Sequence, residues 1–466
     1  MLTCKPSAFI LANCSVDEES GESINPKVLF VLKRFLIFLA LVSIVCGAFY
    51  LSSPEKKVER AEPVWPAVDY RQVDRVDVCL LDQDCFSLVR RTDGWDVVQH
   101  GWASAPEAEV KKVEFLLNAL SQGKALRYIG QISEKSFSGY GLDKPRIRIT
   151  TGGGQELTML LGAESPSGEG VFALNSLEKK DLFLLDKVLV KQCEFPAEYY
   201  YNLFLVPGRS DKISSISLGR GGAFIWTLTR AENELSFSFP APLSGKPASS
   251  GELDILLHSL LEAPAKALVP AGTCETGKAV LNIEVTFSDK KTAKVEIFEL
   301  ADDKDFYLVN STEQKGNFII TKEHFKQLNK KAFQMRRRNV LSVETGKAYS
   351  MRVLQGNQTF IGTKSDKSWV NFEDKKPLLG IDMSLWRLNE LKFEAEPEES
   401  LSDTAEKVME LELMDSEGGK VAYVAFFSDP ELPAGQCWLS LEDGSGYYPV
   451  SNKLLEDLQG QIPLRK

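Results

Sequence analysis

The chain has 466 residues, of which 43% are hydrophobic and 26% charged, enough for about three globular domains. Its formal net charge of −10 gives no positive field to gather nucleic acid or anionic lipid, so neither is an expected partner. Only three histidines occur, His100, His258 and His324, which limits imidazole-based metal or acid–base sites.

In chain order, residues 1–34 read as a short polar cytoplasmic tail. Residues 35–51, "FLIFLALVSIVCGAFYL", contain no charge and match a short single-pass transmembrane helix. A cleaved signal peptide ending at Ala48 and a buried core helix are the competing readings. A lipoprotein site at Cys46 is rejected, because Val45 is too bulky for the residue before it. The basic pair Lys33–Arg34 favours the N-terminus inside, which places the body outside the cytoplasm. Residues 52–69, with Pro54, Pro63 and Pro66, read as a stalk.

Beyond the stalk one plan recurs with a period of about 130–140 residues. The expected modules are 70–208, 209–338 and 339–466, the last a degenerate copy. Each opens with short alternating strands: "VDRVDVCLL", "KISSISLG" and "AYSMRVL" begin the three copies. A helix follows, from about Pro106, Glu252 and Met383, with capping boxes expected at Ser104/Glu107 and Ser249/Glu252. A strand meander then closes on a short helix, with Asp186, Thr321 and Ser451 as its N-caps. The fold class expected is α+β: three tandem repeats of antiparallel sheet plus helices, behind one transmembrane helix.

Trp95 in "TDGWDVV" aligns with Leu235 in "AENELSF" and Trp369 in "KSDKSWVNF". A position that accepts Trp or Leu after a polar turn is an apolar plug, so Trp95 and Trp369 read as structural rather than as a ligand platform. Cys79 and Cys85 flank "LLDQD" and are candidates for a disulfide across a hairpin; two unpaired thiols are the alternative.

The triple glycine 152–154 and "ADDKD" at 301–305 read as hairpin turns, because the first lacks the Lys-Ser/Thr of a phosphate loop and the second the Gly and distal Glu of a calcium loop. Two surface features are candidate partner contacts: Asp143, Lys144 and Arg146 in "GLDKPR", and Arg336, Arg337 and Arg338 in "MRRR". Solvated turns and linkers are the plainer reading of both, and "EAEPEES" at 394–400 is read as an acidic linker. No nucleophile elbow, zinc-binding helix or Cys–His spacing is found, and no cofactor is expected.

The Gly94-Trp95 pair, Tyr140 to Pro145 ("YGLDKP") and Leu161-Gly162 together resemble the bacterial family of the domain of unknown function 4340, over about residues 70–265. The resemblance implies a bacterial inner-membrane protein with a periplasmic body, found beside a gliding-motility-type ABC transporter, and it implies no catalytic residues. The expected function is therefore a membrane-anchored accessory or scaffold protein with ABC transporter subunits as partners. The alternative is an envelope hydrolase with a carboxylate pair in an inter-module cleft. A sensor that signals through the span ranks last, because the tail leaves little room for an output domain.

Overall fold

The computed structural model describes residues 70–462, apart from 123–124, 154–155, 175–179, 233, 302, 367, 443 and 445. The expected tail (1–34), span (35–51) and stalk (52–69) lie outside the described residues. Among those described, no helix is long and apolar enough to cross a membrane.

Val76, Val78 and Leu80 alternate with Arg75, Asp77 and Cys79, and this period of two makes a strand with one buried face, β1 (Arg75–Leu80). After it come β2 (Phe86–Arg91), β3 (Gly94–Val98), helix α1 (Val110–Gln122) and β4 (Ala125–Gln131). Then follow β5 (Ile147–Gly152), β6 (Leu157–Glu164), β7 (Val171–Leu174), β8 (Asp181–Leu185) and helix α2 (Lys187–Cys193). The strand order is β3-β2-β1-β5-β6-β7-β8-β4, with antiparallel pairing throughout. Helix α1 thus carries the chain from one edge of the sheet to the other. The chain then returns to the centre, where β5 pairs with β1 from Arg75↔Gly152 to Leu80↔Ile147.

The second module repeats this with β9 (Ile213–Arg220), β10 (Ala223–Ala231), β11 (Glu234–Phe239), α3 (Ser250–Leu261) and β12 (Ala267–Val269). It continues through β13 (Ala279–Phe287), β14 (Thr292–Glu299), β15 (Phe306–Ser311), β16 (Asn317–Thr321), α4 (Lys322–Leu328) and the short α5 (Ala332–Met335). Its order, β11-β10-β9-β13-β14-β15-β16-β12, is that of the first sheet. The third module has β17 (Ser350–Gln355), β18 (Gln358–Ser365), β19 (Ser368–Asn371), α6 (Ile381–Glu390), β20 (Glu406–Met414), β21 (Lys420–Ser428), β22 (Gln436–Leu441), β23 (Tyr447–Ser451) and α7 (Lys453–Gln461). Its order is β19-β18-β17-β20-β21-β22-β23. Where the eighth strand belongs, the chain makes two isolated bridges to β23, Phe393 to Val450 and Glu398 to Tyr447, and the Glu394 N–H donates to the Pro449 carbonyl at 2.7 Å. The third copy is degenerate in this one strand and keeps the rest of the topology.

Within each module the two helices pack on each other, α1 on α2, α3 on α4 and α6 on α7. Their Leu rows meet the buried strand residues. One continuous core runs through modules 1 and 2, including Val76, Leu117, Leu205, Leu256 and Ile283, whereas module 3 has its own around Met351, Leu385, Phe426 and Leu458.

The helix starts differ from expectation. Helix α1 begins at Val110, and Glu107 instead bridges Asp96, so Ser104 and Glu107 form no capping box. Ser249 has the backbone of an N-cap but its side chain makes no capping hydrogen bond, and the reciprocal half of the box is lost as well, since the Ser249 N–H donates to the Met335 carbonyl and Glu252 pairs with Lys330 at 2.7 Å. Asp186 and Thr321 do cap α2 and α4, accepting from Val188 and His324 N–H groups, while α7 is preceded by Asn452 rather than Ser451.

Candidate functional site

Trp95, Leu235 and Trp369 are each the second residue of the third strand of their module, and all are buried. A cationic residue stands directly opposite in register in every copy: Arg90, Arg230 and Lys364. Arg90 stacks 4.5 Å from the Trp95 ring centroid and its Nε donates to the Val73 carbonyl, as Arg230 Nε does to Ile213. Burial under an arginine already spent on backbone carbonyls makes Trp95 and Leu235 structural plugs, and Trp369 is buried likewise with Lys364 over its ring at 5.8 Å.

Cys79 and Cys85 are joined by a disulfide across the turn between β1 and β2. Cys193 and Cys437 are buried thiols whose pKa burial raises to about 12, which makes them poor nucleophiles.

"YGLDKP" and "LG" turn out to be two sides of one close contact. A Cβ at Gly162 would lie 2.2 Å from the Tyr140 carbonyl, and one at Gly141, whose φ is +67°, would lie 2.8 Å from the Ala163 nitrogen. Leu142 is buried with Leu160, Leu174 and Leu182 in a small separate cluster. Asp143 and Lys144 remain exposed, while Arg146 pairs with Glu194 and reaches Glu164 at 4.0 Å.

The arginines of "MRRR" meet the acidic stretch that sequence reading placed in a separate linker. Arg336 pairs with Glu396 at 2.6 Å and lies 4.7 Å from the Phe393 ring centroid. Arg338 donates to the Phe393 carbonyl at 3.2 Å and lies 5.0 Å from the Phe333 centroid. Arg337, the most exposed of the three, reaches Glu234 at 3.4 Å. Arg336 and Arg338 fasten module 2 to module 3, whereas Arg337 pairs within module 2. In "ADDKD", Asp303 accepts from the Asp305 N–H in an exposed turn, and among the described residues no acidic, His or Cys group has the arrangement of a metal site.

The feature that recurs is a strap. After its second helix, each of the first two modules sends an extended segment across the entry of its crossover helix. In module 1 the Glu109 N–H donates to the Tyr200 carbonyl (2.7 Å) and the Asn202 N–H to Glu107 (2.9 Å). In module 2 the Ser249 N–H donates to Met335 (2.7 Å) and the Arg337 N–H to Pro247 (3.1 Å). Each strap then binds the segment following the next crossover helix: the Val206 N–H donates to Leu260 and the Ala265 N–H to Leu203, while the Val340 N–H donates to Leu391 and the Phe393 N–H to Arg338.

A cleft opens beside each strap at the corresponding place. The first, about 570 Å³, is lined by Trp95, Glu107, Ala108, Lys111, Asn202 and Phe204. The second, about 320 Å³, is lined by Leu235, Ala248, Leu253, Asp254 and Arg337 among others. At the rim of the first, Arg91 Nη2 reaches both Asp96 (2.5 Å) and Glu107 (3.3 Å), and Lys315 of module 2 lies 3.9 Å from Asp96. Burial raises the Asp96 pKa above its ordinary value, against the opposing pull of Arg91 and Lys315. Trp102 closes the same junction, with its ring so near Gly316 that a Cβ there would lie 2.7 Å from it.

Each cleft is thus built from a hairpin edge, a helix entry and an extended chain, an arrangement that holds polypeptide by backbone pairing. Sequence reading missed the straps and the Asp96–Arg91–Glu107 cluster. The aromatic run Tyr199 to Tyr201 was the available signal for the first strap, since all three rings are at least half-buried where the modules join. No family model matches the chain, and no curated protein matches it.

Proposed function

We propose that the chain is a membrane-anchored, extracytoplasmic accessory or scaffold protein that acts by holding protein partners on its repeated modules. The observation that carries this reading is the strap groove, which binds extended polypeptide at two equivalent places within one chain. The Cys79–Cys85 disulfide supports an oxidising compartment, and the uncharged stretch at 35–51 supports an anchor. The more specific role, auxiliary to a gliding-motility-type ABC transporter in a bacterial inner membrane, rests on the family resemblance of "TDGWDVV", "YGLDKP" and Leu161-Gly162. Crosslinking and affinity purification of the full chain from native membranes tests it. Permease or ATPase subunits recovered in fixed ratio support the role, and recovery of the chain alone removes it.

One observation favours the hydrolase alternative. Asp96 and Glu107 contact the same guanidinium nitrogen, so their oxygens are at most about 6 Å apart, too close for an inverting glycosidase pair and compatible only with a retaining one. Arg91 occupies the space between them and engages both carboxylates in ion pairs, where a glycosidase pair needs that space for the sugar or its water. Glycan hydrolysis by the wild type that is abolished in both Asp96→Asn and Glu107→Gln would restore that reading.

A further inference from the structure

A third depression, about 180 Å³, lies on a different surface from the strap clefts. In module 2, Leu218, Ile283 and Val295 belong to the core. Their strand neighbours Gly219, Asn282, Glu284, Lys294 and Glu296 therefore stand on the opposite face of the sheet, and all of them line the depression.

Register sets a row straight across four strands. Phe224 of β10 lies opposite Gly219 of β9, Gly219 opposite Asn282 of β13, and Asn282 opposite Glu296 of β14. At about 4.8 Å per strand the row spans about 14 Å. Beside it Glu284 faces Lys294, 3.5 Å away.

The repeat shows what opens this row. Val76↔Leu88, Ile216↔Leu228 and Met351↔Gly362 are equivalent pairs, because Leu88, Leu228 and Gly362 each stand two residues before the cation that faces the plug. Three residues beyond Val76, Ile216 and Met351 come Cys79, Gly219 and Leu354. Cys79 is tied to Cys85, and Leu354 carries a bulky side chain. Gly219 leaves its place in the row without a side chain. A Cβ there would lie 2.8 Å from the Ala223 carbonyl oxygen, so the bulged β10 holds this position to glycine.

The chemistry of the row selects a ligand. The backbone groups of β9 and β13 are paired with strands on both sides, so strand addition is closed to this face and recognition falls to side chains. Two carboxylates against one ammonium disfavour an anion. Glu284 and Glu296 accept, Lys294 donates, and the Asn282 amide does both, a mixture that suits hydroxyl groups, which also do both. The buried Asn282 Oδ1 has no hydrogen-bond partner among the described residues, so a turn of the amide toward a ligand breaks no bond at that atom. Phe224, 53% exposed, holds a flat apolar ring out to solvent at one end of the row. The depression is smaller than the roughly 300–1,000 Å³ of a pocket for drug-sized molecules, which suits one ring seated in it with others continuing along the row.

We propose that this row binds a neutral glycan, a β-1,4-linked chain of hexose or N-acetylhexosamine units. One pyranose ring stacks on Phe224, and hydroxyls along the chain bond to Asn282, Glu284, Lys294 and Glu296. The flat ribbon of a β-1,4-linked chain matches the flat face of a sheet. The site is separate from the strap grooves, and the inference goes beyond the accessory role and does not depend on it.

Isothermal titration calorimetry on the full chain tests this, in a detergent without a sugar headgroup. Cellotetraose and chitotetraose are the neutral probes, and a galacturonic acid tetramer is the charged one. Saturable binding of at least one neutral tetramer is expected. Phe224→Ala should weaken it about tenfold, as the loss of one aromatic contact. Phe224→Tyr keeps the ring and should bind as wild type does, which separates lost stacking from lost folding. Absence of binding by both neutral tetramers, equal or tighter binding of the galacturonic acid tetramer, unchanged affinity in Phe224→Ala, or a loss in Phe224→Tyr as large as that in Phe224→Ala overturns the inference.

Discussion

Replacing Trp369 by Ala tests whether the core is divided as described. Trp369 is buried in the module 3 core, and its Nε1 donates to Asp382 at 3.0 Å. Large-to-small replacement of a buried aromatic costs about 3–5 kcal/mol, most of it from lost contacts and the cavity left behind. The hydrogen bond adds little, because Asp382 is exposed and water replaces the indole. For a cooperative unit of about 130 residues, a loss of that size lowers Tm by on the order of 10–20 °C. Modules 1 and 2 share one core that does not include Trp369, so their transition should stay where it was. Differential scanning calorimetry should therefore resolve two peaks in Trp369→Ala, with only the smaller one moved. Trp226→Ala, which empties a site in the shared core, should move the larger peak instead. A single peak displaced as a whole by Trp369→Ala, or a shift of a degree or two, would refute the division.

Further expectations follow from the junctions, the disulfide and one histidine. Replacing Cys79 and Cys85 by Ser opens a loop of sequence separation 6 and should cost about 2 kcal/mol on the chain-entropy model, read by denaturant unfolding in the module 1–2 transition. Arg336→Ala loses the ion pair with Glu396 and the stack on Phe393, for about 1–2 kcal/mol, whereas Arg337→Ala should fall within about 0.5 kcal/mol of wild type; urea melts distinguish them. Burial lowers the His324 pKa below its ordinary 6.5, while its Nε2–H donates to the Ser259 carbonyl at 2.7 Å. In the window below pH 6.5 the unfolded chain therefore binds the extra proton more readily, and stability should fall as pH drops toward the folded value. His324→Gln should flatten that limb in melts run as a function of pH, and an unchanged limb would remove His324 as its cause.

The repeat and its plugs are legible in the sequence because they are local. A turn, an alternating strand and one large apolar residue recur at Trp95, Leu235 and Trp369, and each lies within a few residues of the signals that mark it. Asp186 and Thr321 are equally readable as caps, being set by the residues next to them. Ser104 and Glu107 mislead because a distant partner wins: Asp96 and Arg91 hold Glu107 in a bridge, and the helix starts beyond it. The same holds for Arg336 and Glu396, 60 residues apart, which look like two solvated linkers until the fold brings them together. The straps carry no periodic pattern, since each residue answers to a different neighbour in a different module.

The crossover topology also bears on how fast such a chain acquires its structure. The hairpins β1–β2 and β2–β3 form between near neighbours, but the pairing at the centre of the sheet joins Arg75 to Gly152 across an intervening helix and edge strand. Loop-closure entropy is spent before that central ladder gives anything back, and modules 2 and 3 face the same delay at β9–β13 and β17–β20. Each sheet is therefore completed last at its middle, which makes refolding slow for its size. While the chain waits, the open flank of the three-stranded half-sheet from one module matches the corresponding flank of every other module. Mispairing between repeats is the characteristic error this architecture has to avoid.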